Sequence, residues 1–145
     1  MEKQSKKTAN GRYEELRFKM PKIRNILVVE DDGGLRGLLK DQLETKRYSV
    51  RTCDGALEVR DNLESGYLYD LALIDRIVPY ETPGGVAFSP SQNGGDELIK
   101  ELRKEFPSQP IISISCGNFR SPEASMHLAK PFSVPELLRA IKSFE

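Results

Sequence analysis

The feature that most constrains this chain is an alternation between two periodicities. Short apolar runs stand at Ile26–Val29, Leu71–Ile74, Ile111–Ser115 and Met126–Ala129, and Tyr48, Val50 and Thr52 alternate with polar neighbours. Continuous apolar runs this short suit strands buried on both faces of a sheet. Between them, apolar residues recur at helical spacing: Leu35, Leu38, Leu39 and Leu43; Ala56, Val59 and Leu63; Leu98, Ile99, Leu102 and Phe106; Val134, Leu137, Leu138 and Ile141. Ser133 with Glu136 three residues on forms a capping box at the start of the last helix. Strands that alternate with helices imply βαβ units and a parallel sheet. Right-handed crossovers then put helices on both faces.

Two stretches break the pattern. Val78 to Gly95 contains Pro79, Pro83, Pro90, Gly84, Gly85, Gly94 and Gly95, which predicts irregular backbone. Cys116 to Ser125 is polar and short for a helix.

Ligands of such sheets sit beyond the carboxyl ends of the strands. The first strand here runs into Glu30-Asp31, the third into Asp75, the fourth into Ser115 and the fifth into Lys130-Pro131. Three carboxylates, a hydroxyl and an ammonium are therefore expected at one edge. Clustered carboxylates repel one another and call for a cation. An all-oxygen set favours a hard ion, Mg²⁺ or Mn²⁺. With its charge balanced, Asp75 stays ionised and can act as a nucleophile. Ser115 can donate to a phosphoryl oxygen, and Lys130 can pair with another as a point charge.

The motifs ILVVEDD (26–32), DLALIDRIVP (70–79), PIISIS (110–115) and AKPF (129–132), in this order, resemble the receiver domains of two-component response regulators. The resemblance covers about 24–145. It implies a flavodoxin-like, doubly wound α/β fold with five parallel strands in the order 2-1-3-4-5. It also implies that Glu30, Asp31 and Asp75, with the backbone carbonyl of Ile77, hold Mg²⁺ or Mn²⁺. Asp75 would be the phospho-acceptor, Ser115 the switch hydroxyl and Lys130 the family's lysine, with a cis bond to Pro131. GDELIKELR (95–103) matches the start of the third helix. The implied partners are a sensor histidine kinase or phosphotransfer protein and a downstream protein target. Catalysis would be limited to the domain's own Mg²⁺-dependent aspartyl phosphorylation and dephosphorylation.

Two departures from the family stand out. The segment from Asp75 to Gly95 is long, which puts an extra loop at Tyr80–Asn93 beside the proposed acceptor. The segment from Ser115 to Lys130 is short by roughly two helical turns, so the family's fourth helix is expected to be reduced or missing. The position three before Lys130, usually aromatic in the family, is His127, the only histidine. Neither Ile77 nor Gly117 offers a polar side chain to position water, so a phosphoryl group on Asp75 is expected to be long-lived. Asp32 reads as a helix cap, Cys116 as a small packing residue and Cys53 as a buried strand thiol.

Charge supplies the domain boundary. The formal net charge is zero, with 22 basic and 22 acidic residues. Residues 1–24, however, hold eight basic and three acidic groups, so the acidic excess lies in the remainder. The reading is a basic extension over 1–23 and a receiver over 24–145. Direct DNA binding is not expected of an acidic domain with no output domain after Glu145. No signal peptide or spanning segment is legible, and two cysteines make no disulfide framework, so the expected location is the cytoplasm. Two other functions are weighed: a phosphorylation-independent interaction module on the same fold, and a metal-dependent hydrolase. The hydrolase lacks a second acid/base, because the residue two after Asp75 is Ile77.

Overall fold

The computed structural model describes residues 23–82, 93–117 and 119–145. Five strands, β1 (Asn25–Val29), β2 (Ser49–Cys53), β3 (Leu71–Asp75), β4 (Ile111–Ser115) and β5 (Met126–Ala129), form one sheet in the order β2-β1-β3-β4-β5. Every pairing is parallel. Four helices are described: α1 (Gly33–Thr45), α2 (Ala56–Glu64), α3 (Gly94–Glu105) and α4 (Val134–Lys142). The parallel sheet is the one expected from the alternation, and the flavodoxin-like strand order is the one the resemblance implied.

Strand residues alternate between two cores because successive side chains point to opposite faces. Leu27, Val29, Ala72, Ile74 and Ile111 pack with Ala56 and Val59 of α2 and Leu98, Ile99 and Leu102 of α3. Ile26, Val28, Leu71, Leu73, Ile112 and Ile114 pack with Leu39 and Leu43 of α1 and Leu137 and Ile141 of α4. Each large side chain buried this completely stabilises the fold by roughly 1.5–3 kcal/mol. Ile23 joins the second core, and Asp70 fixes the entry to β1 by accepting from the backbone N–H groups of Arg24 and Asn25. Leu38, expected on the buried stripe of α1, is instead exposed, because the apolar arc of that helix is narrower than its leucines.

The local signals act where the sequence placed them. Asp32 is the N-cap of α1, and its Oδ1 accepts from the N–H groups of Gly34 (2.9 Å) and Leu35 (3.4 Å). Ser133 and Glu136 make the capping box of α4. The Lys130–Pro131 bond is cis. Gly94 and Gly95 let the start of α3 lie against the backbone that leaves β3. A Cβ on Gly95 would overlap the Asp75 carbonyl oxygen and come within 2.6 Å of Arg76 Cα.

None of the described residues between β4 and β5 is helical, so the family's fourth helix is replaced by an irregular connection. Residues 1–22 of the basic extension and 83–92 of the long loop lie outside the described residues. Among the described residues, no helix is long and apolar enough to cross a membrane.

Candidate functional site

The register of the sheet assembles the site. Val29 pairs with Ile74, so Glu30 follows β1 beside Asp75, the last residue of β3. Ser115 pairs with Ala129, so Lys130 leaves β5 at the same edge. Carboxylate oxygens of Glu30, Asp31 and Asp75 all lie within 4.8 Å of one another. Glu30 and Asp75 are buried, while Asp31 is exposed. Lys130 Nζ donates to Asp75 Oδ2 at 2.6 Å and reaches both Glu30 oxygens at 3.4–3.5 Å. The Ile77 N–H donates to Asp75 Oδ1 at 2.9 Å, which turns the backbone after β3 over the carboxylate. Arg36 Nη1 donates to the Glu30 carbonyl at 2.7 Å and holds the β1–α1 turn from behind.

Crowding the carboxylates separates their proton affinities. Burial, followed by the hydrogen bond and charge of Asp75, pushes Glu30 up to about 8, against the opposing pull of Lys130. Asp75 is also penalised by burial, but hydrogen bonds from Glu30, Lys130 and the Ile77 N–H together hold it below the ordinary carboxylate range. Lys130 is likewise penalised by burial, yet Asp75 and Glu30 keep its proton on. Without metal, the proton is therefore favoured on Glu30 and Lys130 and disfavoured on Asp75. Three carboxylate donors at this spacing suit a hard divalent cation, with Asp31 at the open side.

Comparison with known proteins finds the same fold in other chains. A response regulator receiver domain protein from Methanospirillum hungatei superposes with a TM-score of 0.67 at 25% identity, covering 84% of this chain and 93% of that one. The response regulator TrrA of Thermotoga maritima, solved in complex with Mg²⁺ and beryllium fluoride, superposes with a TM-score of 0.65 at 29% identity, covering 85% of this chain and all of that one. The phosphate regulon transcriptional regulatory protein PhoB of Rhizobium meliloti is 32% identical over 133 residues. These likenesses together support a response regulator receiver domain in this chain.

The receiver spans 86% of its own length in the match to PhoB but about half, 52%, of that curated relative. No family model matches it. Its departures lie around β4 and β5. Ser115 stands at the same strand end as Asp75, but its hydroxyl is turned to the Gly117 carbonyl and to His127, each at 3.3 Å. Cys116 was expected to pack beside the site and is instead exposed, since the connection that replaces a helix leaves it uncovered. With Lys130, Leu35, Leu38 and Phe132 it lines an apolar groove of about 330 Å³.

Sequence reasoning missed the network that holds this connection. Arg76 makes a two-pronged ion pair with Asp96 of α3, at 3.0 and 2.8 Å, and donates to the Phe119 carbonyl. The Ser121 hydroxyl donates to Asp96. Arg103 donates to the Glu123 carbonyl and to Ser125 Oγ. Polar side chains thus tie residues 119–125 to α3. The available signal was the alternation of Ser113 and Ser115 with isoleucines, which marks one face of β4 as polar just where a covering helix would demand apolar residues.

Proposed function

We propose that this receiver accepts a phosphoryl group on Asp75 from the phosphohistidine of a sensor kinase or phosphotransfer protein, and relays the signal by protein contact or onward phosphotransfer. The observation that carries the reading is Asp75 itself: a buried carboxylate kept ionised, 2.6 Å from a lysine and beside two further carboxylates. Glu30, Asp31, Asp75 and the Ile77 carbonyl would hold Mg²⁺, with Mn²⁺ as the alternative ion. The ion would neutralise charge on the phosphoryl oxygens. The magnesium and beryllium fluoride held by the Thermotoga relative support this assignment.

In the transfer, an Asp75 oxygen attacks phosphorus and the bond from phosphorus to the imidazole nitrogen breaks. The product is an acyl phosphate, and the nitrogen's electron pair leaves with the histidine. Lys130 moves its ammonium contact to the incoming phosphoryl oxygens, and the Ser115 hydroxyl donates to another. Ile77 is exposed and Gly117 lacks a side chain, so neither orients a hydrolytic water and the acyl phosphate is long-lived. The receiver body would span 24–145, with the basic segment 1–23 as an extension.

The test is intact mass after incubation with acetyl phosphate and Mg²⁺. The wild type gains about 80 Da for one phosphoryl group, and Asp75→Asn gains nothing. An unmodified wild type overturns the reading, as does a modified Asp75→Asn.

A further inference from the structure

We propose that Arg36 is a positioning residue that makes the carboxylate site selective for Mg²⁺ over Ca²⁺, by fixing the turn that carries Asp31. The proposal rests on the reading of Glu30, Asp31 and Asp75 as ligands of a hard cation, and it concerns a residue outside that ligand set.

The sequence puts Arg36 on the face of α1 that meets the sheet. It stands three and seven residues before Leu39 and Leu43, the buried residues of that helix, and positions at this spacing share a face. Its side chain is partly buried, and the guanidinium reaches back to the turn that leaves β1.

This one residue occupies all three carbonyls of that turn. Nη1 donates to the Glu30 carbonyl at 2.7 Å and to the Asp31 carbonyl at 3.3 Å. The backbone N–H of Arg36 donates to the Asp32 carbonyl at 2.9 Å. The Asp32 N–H in turn donates to Glu30 Oε1 at 3.4 Å, so the turn folds over its own carboxylate. A hydrogen bond with Asp54 and burial raise the proton affinity of Glu58, and the charge of Arg36 lowers it. The guanidinium therefore stands against the β1–α1 turn and within electrostatic reach of the first turn of α2.

The three carboxylates differ in what can move them. Glu30 and Asp75 are 2% and 5% exposed and both face Lys130 Nζ, so their oxygens stay where the strand ends put them. Asp31 is exposed, and its carboxylate stands where its backbone puts it. Mg²⁺ binds oxygens at about 2.0–2.1 Å in a strict octahedron, whereas Ca²⁺ binds them at about 2.3–2.6 Å in looser geometries. Changing from one ion to the other therefore needs a ligand to shift by roughly a few tenths of an ångström, and Asp31 is the ligand with room to do so. Arg36 opposes that shift by pinning the peptide carbonyls on both sides of the Asp31 Cα. The two ions carry the same charge, so loss of the Arg36 cation changes both affinities alike. Only geometry changes their ratio.

The experiment is calorimetric titration of the full chain with Mg²⁺ and, separately, with Ca²⁺, in one metal-free buffer at one pH. It compares wild type, Arg36→Lys and Arg36→Ala. Loss of the clamp predicts that the preference for Mg²⁺ over Ca²⁺ falls about five- to tenfold in Arg36→Ala. Arg36→Lys keeps the charge and the stem but not the forked donor, so it should lose part of the preference. It decides the matter if Arg36→Ala does not fold. A turn needed only for stability would weaken both ions alike and leave their ratio untouched. A wild type without preference for Mg²⁺, or the wild-type ratio in either variant, overturns the proposal. ¹⁵N NMR of the wild-type Arg36 guanidinium gives a readout that needs no variant. A clamped group shows separate Nη signals, and rapidly averaged ones overturn the clamp. A wild type that binds neither ion sinks the reading of the three carboxylates, and this proposal falls with it. A wild type that prefers Mg²⁺ while both variants match it sinks only the role of Arg36.

Discussion

Magnesium binding to this receiver should release a proton, and the structure says from where. Metal ligation needs the carboxylates ionised. Glu30 is the group that resists, because burial and the neighbouring Asp75 push it up to about 8. With its affinity pushed up to about 8, Glu30 is mostly protonated at pH 7, so binding Mg²⁺ should expel most of one proton there and little at pH 9. Affinity should rise about tenfold per pH unit below pH 8 and level off above it. The assay is isothermal titration calorimetry in two buffers of different ionisation enthalpy, which counts protons directly. Glu30→Gln should bind Mg²⁺ more weakly and release no proton. A release near zero at pH 7 in the wild type, or an affinity that is flat from pH 6 to 8, would refute the argument. The same proton sets stability without metal. The folded chain keeps a Glu30 proton that the unfolded chain, titrating near 4.5, has lost, so stability falls as pH rises from about 4.5 to 8. Asp75, held below its ordinary range, acts in the opposite window and withdraws its contribution as pH falls through that lowered value. Melting in a chelator should therefore be highest in mild acid, and Mg²⁺ should restore what is lost toward pH 8.

Other outcomes follow from single contacts. Gly95→Ala drives a methyl into the Asp75 carbonyl and should destabilise the domain by on the order of 3 kcal/mol or more, read by urea denaturation. Arg103→Ala removes donors to the Glu123 carbonyl, Ser125 Oγ and the Pro107 and Gln109 carbonyls and should cost about 1–2 kcal/mol, with faster hydrogen exchange in the β4–β5 connection and the α3–β4 turn. A disulfide reagent should modify one thiol quickly, exposed Cys116. Cys53 should react only on unfolding, since it is fully buried and burial pushes its thiol up to about 12. Two fast thiols in the native protein would contradict the burial of β2.

Much of the fold was legible because it rests on short-range periodicity. Runs such as Leu71–Ile74 have no polar face to offer solvent, so they had to become interior strands, and the helical stripes between them had to become crossovers. Caps were readable for the same reason: Asp32 and Ser133 meet their partners within three residues. The gathering of Glu30, Asp31, Asp75 and Lys130 was readable one step further on, since all leave carboxyl ends of parallel strands. Cys116 was misjudged, because its burial depended on a helix that this chain does not build.

The sequence by itself determined the strand and helix pattern, the edge of the sheet that carries the carboxylates, and the shortage of residues for a fourth helix. These depend on neighbours in the chain and on the two-residue and 3.6-residue periods. Only the tertiary structure decided what replaces that helix and where the site's protons sit. Arg76, Asp96, Ser121 and His127 are scattered over a strand end, a helix, a connection and another strand, and no spacing joins them. Their contacts appear only once the strands pair and α3 packs against the end of β3. Glu30 and Asp75 lie 45 residues apart in the chain, and their proton affinities diverge only because folding removes the water between them.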